Sequence, residues 1–343
     1  MEAAGQGIAL AAAVEPDVAR AADAASKYAI PVFSTVDELL TAQRDSGLKL
    51  NAATVAVPTV HHHAVASALL DAGLDLLVEK PLAANLAEAD GLIDLAEKGK
   101  RILQPGHLER FNPAVLAIQP QLRRPMFFEA HRLSVFTPRS LDVDVVLDLM
   151  IHDLDIVLTF AASLVREVRA VGLPILSPKV DIANVRVEFE SGCVANFTAS
   201  RVSTERVRKL RFFEPRQYVS IDYARQDLLV IGVDGSVDPA VAAAIASGKA
   251  DPALLAKLAA AGLSAGPSQE KGPGLSFAKP SVTPGEPLRL EIESFLDSVR
   301  TRRQPRVTAR QGRDALALAL EIQSSMAAHA RRAGLEDFFA PGA

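Results

Sequence analysis

The sequence predicts two domains: a doubly wound α/β domain over residues 1–106, then an α+β domain on a mostly antiparallel open sheet over 107–343. Three observations predict it. Short apolar runs at 8–14, 53–57 and 76–79 alternate with helical stretches, the spacing of right-handed βαβ units around a parallel sheet. The third run ends in Leu76-Leu77-Val78-Glu79-Lys80-Pro81, where proline stops the strand and holds Lys80 extended at its carboxyl end. From Pro125 onward strands follow one another, with Val185, Val187 and Phe189 alternating with Arg186, Glu188 and Glu190 before a turn at Gly192.

Composition narrows the classes. A chain of 343 residues, 49% hydrophobic and 23% charged, suffices for two ordinary globular cores. A net charge of −4 with no block of like charges argues against nucleic acid or an anionic membrane as partner. The single cysteine, Cys193, excludes an intrachain disulfide framework and thiolate metal clusters, and its turn context suggests a small apolar filler. With no basic-then-apolar leader and no apolar run of about 18 residues, a cytoplasmic location without membrane insertion is expected.

The elements follow in order. The 8–14 run reads as a buried strand, ending in Glu15-Pro16-Asp17, with Asp17 capping an alanine-rich helix to about Lys27. A short strand at Val32 and Phe33 leads to Ser34 and Asp37, a capping-box-like start for a helix through Leu40. The 53–57 strand is followed by Pro58-Thr59 and a helix over 61–72 with Gly73 as its stop. After the 76–79 strand come a helix capped by Asn85 and closed by Gly99, and a short strand near Ile102. In the second domain we expect a strand over 126–135, a helix over 143–160, a hairpin over 184–200, strands over 218–223 and 228–232, and helices over 289–300 and 309–330. Residues 235–280, rich in Ala, Gly, Ser and Pro, read as an insertion, helical around 252–261 and loose around 266–274.

One part of the expected pattern is missing. A Rossmann-like dinucleotide sheet opens with a strand, a G-x-G-x-x-G turn and a helix whose N-terminus holds the pyrophosphate. Here Gly5-Gln6-Gly7 precedes the first strand, so the sequence reads as N-terminally truncated by one βα unit.

Several side chains are placed for chemistry. Lys80 stands at the strand edge where open α/β sheets bind ligands, and a desolvated lysine can exchange a proton with a substrate hydroxyl. The bland alternative is a rim lysine. Glu15, at a strand end, could accept hydrogen bonds from an adenosine ribose and would repel a 2′-phosphate, which favours NAD over NADP; Arg20, one turn on, weakens that preference. Asp148 and His152 stand four apart on one helix face, where a carboxylate can orient an imidazole for proton transfer, or simply form a polar edge. Asp153 and Asp155 follow them, but no other ligands have suitable spacing, so no metal is expected. Of His61-His62-His63 at a helix start at most one can face the cleft, and His62 is the expected one. The basic run Arg206, Arg208, Lys209 and Arg211 reads as a solvated sheet face or as a diphosphate contact.

The pieces Val55-Ala56-Val57-Pro58-Thr59 with His62, Glu79-Lys80-Pro81, Gly106-His107 and Asp148-Leu149-Met150-Ile151-His152-Asp153-Leu154-Asp155, in this order, resemble the Gfo/Idh/MocA oxidoreductases. The resemblance implies that Lys80, Asp148 and His152 surround the reacting carbinol, His152 accepting the proton and Lys80 binding the hydroxyl. It further implies a cis Lys80–Pro81 peptide, contact of Glu79 with the nicotinamide ribose, and a cofactor cleft lined by Pro58, His62 and His107. Gly106-His107-Leu108-Glu109-Arg110-Phe111-Asn112-Pro113-Ala114 resembles the branch that oxidises nucleotide-linked N-acetylamino sugars, such as the UDP-N-acetylglucosamine 3-dehydrogenases of lipid A biosynthesis. There Arg110 and Asn112 would face the substrate or nicotinamide. The alternative is a non-catalytic sugar- or nucleotide-sensing relative, or an inactive fragment, on the same scaffold. The open sheet needs covering, so a homodimer or homotetramer is expected.

Overall fold

The computed structural model describes residues 7–137, 143–233, 269–272, 275–335 and 337. The chain divides into two compact units, Met1–Gly106 with Ile292–Arg313, and His107–Glu291 with Asp314–Ala343.

The first unit runs β1 (Ala13–Val14), α1 (Val18–Tyr28), β2 (Val32–Phe33), α2 (Val36–Asp45), β3 (Ala52–Val55), α3 (His62–Asp71), β4 (Asp75–Glu79), α4 (Leu86–Gly99) and β5 (Leu103–Gly106). All its strand pairs are parallel, in two sheets, β1-β2 and β3-β4-β5. β4 lies central in its sheet, which is why Leu76, Leu77 and Val78 form an unbroken apolar run and are fully buried. The expected strand over 8–14 is corrected to its last two residues. Its partner β2 is itself only two residues long, so no longer ladder forms, and Leu10 is 53% exposed.

The caps mostly follow the side chains. Asp17 accepts the Arg20 N–H at 2.9 Å, and Asn85 accepts the Glu88 N–H at 3.0 Å. At α2 the box sits one residue later than Ser34: Thr35 accepts the Glu38 N–H at 3.2 Å, while the Glu38 carboxylate accepts the Ser34 N–H at 2.9 Å. A glutamate reaches back where Asp37 would be too short, and the helix continues to Asp45. α4 ends with Lys100, not Gly99, in the left-handed region (φ 52°).

The second unit adds α5 (Pro113–Ile118), β6 (Phe127–Leu133), α6 (Ile151–Ala161), β7 (Val165–Leu173), β8 (Ile182–Phe189), β9 (Val194–Ser200), β10 (Val207–Glu214), β11 (Gln217–Asp222), β12 (Asp227–Val233), β13 (Gln269–Gly272) and β14 (Leu275–Ala278); α7 (Pro287–Thr301) and α8 (Ala309–Ala333) follow, most of α7 falling in the first unit and most of α8 in the second. The strands form one sheet in the order β13-β14-β12-β11-β10-β6-β9-β8-β7, antiparallel except for the β6–β9 pair. Phe128, Phe189, Phe197 and Phe212 on one face pack into a core with Ile118, Met150, Leu154 and Ile322 from the helices. On the other face Phe127 stacks on Phe213, which meets Tyr218, with ring centroids 5.5 and 5.2 Å apart. Lys209 and Arg211 share that half-covered face, Arg211 standing 4.0 Å from Glu129. Cys193 is fully buried.

Three features depart from the sequence reading. The 143–160 helix begins as a π-helical segment, Val146–Met150, before α6. Within the 235–280 window, β13 and β14 extend the sheet as an antiparallel pair, where residues 266–274 were expected to be loose; the helix expected around 252–261 lies outside the described residues. The C-terminal part is not continuous with the second unit, because Ile292–Arg313 belongs to the first. Arg302 binds the buried Asp75 carboxylate through both terminal nitrogens, at 2.5 and 3.2 Å, and Arg310 and Arg313 pair with Glu97 and Asp90.

Candidate functional site

In the first unit the sequence-marked residues gather at the carboxyl ends of the parallel strands and the turns that follow. Lys80 is half-buried directly after β4, and the Lys80–Pro81 peptide is cis. Glu79 packs against Gly106 on the adjacent strand; a Cβ there would come within 3.0 Å of the Glu79 Cα, so only glycine lets the strands lie as they do. His62 is 1% exposed. Its Nδ1 lies 2.8 Å from the Pro81 carbonyl oxygen and its Nε2 2.9 Å from that of Val57. The imidazole thus brackets the turns that follow β3 and β4, holding the turn that carries Lys80. Pro58 is exposed ahead of the short 3₁₀ turn Thr59–His61.

Glu15 follows β1, its backbone N–H donating to the Phe33 carbonyl at 2.9 Å. Its carboxylate accepts the Asp17 N–H at 2.9 Å and stands 3.9 Å from Arg20, which is 75% exposed. An acid at a parallel strand's end fits a ribose hydroxyl pair. A diphosphate cradle is another matter: α1 opens on Glu15, Pro16 and Asp17, and its first free N–H groups are already capped by carboxylates that would repel phosphate. Among the described residues, no glycine-rich turn joins β1 to α1.

In the second unit the Gly106–Ala114 stretch turns inward. His107, Glu109, Arg110 and Asn112 are all buried. Arg132, on β6, donates to both oxygens of Asp153 at 2.7 and 3.1 Å and to Glu109 at 3.0 Å, with its guanidinium 5.2 Å from the Tyr223 ring centroid. Burial opposes the Arg132 charge, but the Asp153 and Glu109 carboxylates outweigh it and raise its pKa above the usual arginine value. Burial likewise pushes the Tyr223 phenol well up, and the Asp153 charge adds to it. Arg110 pairs with Asp155 at 3.3 Å and donates to Thr159. Asn112 caps α5 by accepting the Ala114 N–H at 3.1 Å, and donates to the Tyr223 carbonyl at 3.0 Å.

This charge network clamps α6 from two sides, through Asp153 and Asp155. Asp148 and His152, half-buried, are the polar positions in a stretch whose neighbours Met150, Ile151 and Leu154 are fully buried. Asp153 and Asp155 are held by arginines, and among the described residues no cluster of three metal-ligating side chains forms. Arg110 and Asn112, expected to face substrate or nicotinamide, make the inward hydrogen bonds described above. Sequence reasoning missed Arg132, Glu109 and Tyr223. The signal for Arg132 was its parity: it follows Phe128 and Ala130 on the inward face of β6, where a charge demands a buried partner.

Parallel strands with polar groups at their carboxyl ends, followed by a second unit on an open, mostly antiparallel sheet, place this chain among the α/β folds that bind ligands at that strand edge. The sequence model of the oxidoreductase family with an NAD-binding Rossmann fold matches residues 1–107, and that of the GFO/IDH/MocA C-terminal domain matches 115–237. The chain is 31% identical over 324 residues to the UDP-N-acetylglucosamine 3-dehydrogenase of Acidithiobacillus ferrooxidans, a match covering 94% of this chain and 91% of that protein. The solved structure of that enzyme superposes with a TM-score of 0.76, covering 92% of this chain and 89% of the other. An inositol 2-dehydrogenase of Leifsonia xyli is 30% identical over 169 residues, covering 47% of this chain and 48% of its own. A putative myo-inositol dehydrogenase structure from Sinorhizobium meliloti, 18% identical with a TM-score of 0.68 and covering 94% of this chain and 90% of that one, shares the fold. The chain belongs to the Gfo/Idh/MocA family of oxidoreductases.

Proposed function

We propose that this protein oxidises the 3-hydroxyl of a UDP-linked N-acetylamino sugar, UDP-N-acetylglucosamine being the leading candidate. The observation that carries the reading is the 31% identity, spread over 94% of the chain, to an enzyme named for that reaction. Lys80 donates a hydrogen bond to the substrate hydroxyl and lowers its pKa. His152, oriented by Asp148, takes the hydroxyl proton. The nicotinamide, when bound, accepts the hydride. Glu15 favours NAD over NADP, because its carboxylate repels a 2′-phosphate and Arg20 is too exposed to offset it fully. Glu79 touches the nicotinamide ribose, and Pro58, His62 and His107 shape the cofactor's surroundings. Arg110 and Asn112 act through the fold, fixing the segment that leads into the second unit.

The product, a 3-keto nucleotide sugar, suits amination on the way to a lipid A-type glycolipid. Both reactants are charged and do not cross membranes unaided, so the reaction belongs in the cytoplasm. The aromatic ladder Phe127–Phe213–Tyr218 on the open sheet face supports a homodimer or homotetramer.

The alternative on the same scaffold is a relative that binds the nucleotide sugar without turning it over. Steady-state kinetics of wild type, Lys80→Ala and His152→Asn separates the two. Loss of a positioned acid or base lowers kcat by about 10²–10⁴. Wild-type protein that binds UDP-N-acetylglucosamine but produces no reduced nicotinamide would establish the sensor reading instead.

A further inference from the structure

Away from every residue discussed above for catalysis, α8 passes the free edge of β7 and leaves an open cleft of about 610 Å³. Ser325 binds α8 to that edge, accepting the Ala170 N–H at 3.1 Å. The polar side chains lining the cleft are Arg169, Asn184, Arg186, Ser325, His329 and Arg332, and among the described residues no carboxylate lines it. Antiparallel pairing sets Arg169 directly opposite Arg186, and α8 supplies Arg332 from its last turn. We propose that this cleft is a binding site for a small organic di- or polyphosphate.

Three features carry the assignment. Planar guanidinium groups pair bidentately with phosphate oxygens, and here three arginines line one cleft together with Asn184 and Ser325. The volume lies within the range of small-ligand pockets, larger than a single phosphate needs. The His329 Nδ1 is shielded from solvent and has no hydrogen-bond partner, whereas buried polar atoms almost always have one. A ligand hydroxyl or phosphate oxygen in the cleft supplies it.

The arginines are free to rearrange. Arg169 is 76% exposed and pairs with Glu167 outside the cleft, and Arg186 is 48% exposed with Glu188 at 3.5 Å. Exposed pairs of this kind are weak and are readily exchanged for a doubly charged ligand.

Calorimetric titration of inorganic pyrophosphate into the full chain tests the site, comparing wild type with Arg186→Gln/Arg332→Gln and, independently, Arg169→Gln/His329→Gln. Removing two donors to a charged partner weakens binding by at least about tenfold. The substitutions lie on exposed or half-exposed positions, so unfolding temperatures should match wild type, and either pair alone decides the matter should the other fold poorly. The His329 ring-proton NMR signals should also shift on adding pyrophosphate to wild type. Equal affinity in wild type and variants would place the pyrophosphate elsewhere, and no binding to wild type would remove the site; either overturns the proposal.

Discussion

Replacing Arg132 by Met exposes how the second unit is held. Arg132 is 4% exposed and makes three hydrogen bonds to the carboxylates of Asp153 and Glu109, residues that are themselves 2% and 4% exposed. Met fills similar space but leaves Asp153 and Glu109 charged, buried and unpaired. Breaking a buried ion pair in this way costs about 3–5 kcal/mol. For a unit of about 200 residues, each kcal/mol shifts the melting temperature by about 2–4 °C, so the variant should melt about 6–20 °C lower. Thermal unfolding followed by circular dichroism reads this directly. The exposed pair Arg310–Glu97 supplies the control, and Arg310→Met should leave the melting curve nearly in place. Replacing all three partners, with Arg132→Met, Glu109→Leu and Asp153→Leu together, should recover much of the loss, since apolar groups of similar volume need no compensation. An Arg132→Met protein melting within about 2 °C of wild type, or a triple variant no better than the single, would refute the reasoning.

Three more outcomes follow from single sites. Asp181 is fully buried, and burial alone would raise its pKa; hydrogen bonds from Ser177, Arg201 and the Ile175 and Leu176 N–H groups outweigh that and hold it at about 2. Because the folded pKa is depressed, up to about 2.5 kcal/mol of stability is present above about pH 4 and lost as pH falls through about 2; acid titration of unfolding free energy should show this loss in wild type and a flatter curve in Asp181→Asn. Burial pushes the Cys193 thiol up to about 11, so a thiol-reactive chromogen near about pH 8 should detect no thiol in native protein and one after denaturation. At Gly172 an added Cβ would overlap the Met326 sulfur and lie 2.7 Å from a Val180 methyl, so Gly172→Ala should destabilise by about 1–3 kcal/mol in chemical denaturation.

What was legible in the sequence was what local physics decides. The Leu76–Pro81 run shows its strand and its stop because a buried parallel strand tolerates only apolar residues and proline cannot continue it. Asp17 and Asn85 read as caps because their short oxygens reach the helix N–H groups. The alternation at 185–190 gives the hairpin. Long-range partners were not legible. Nothing local says that Arg132 meets Asp153, or that Arg302 reaches back to Asp75, so the charge network and the return of Ile292–Arg313 to the first unit appear only in three dimensions. The spacing of Asp153 and Asp155 argued against a metal but did not reveal that arginines hold them. Likewise the family resemblance placed Arg110 and Asn112 near substrate, but nothing local foretold their hydrogen bonds to Asp155 and to the Tyr223 carbonyl.

The most direct test of the central claim is the growth of reduced-nicotinamide absorbance when purified protein is given NAD and UDP-N-acetylglucosamine, with myo-inositol and free glucose in parallel. Turnover with the nucleotide sugar, a 3-keto product, and little turnover with the others are expected. Folded protein that turns over inositol or glucose faster, or that reduces no NAD with the nucleotide sugar, would contradict the claim.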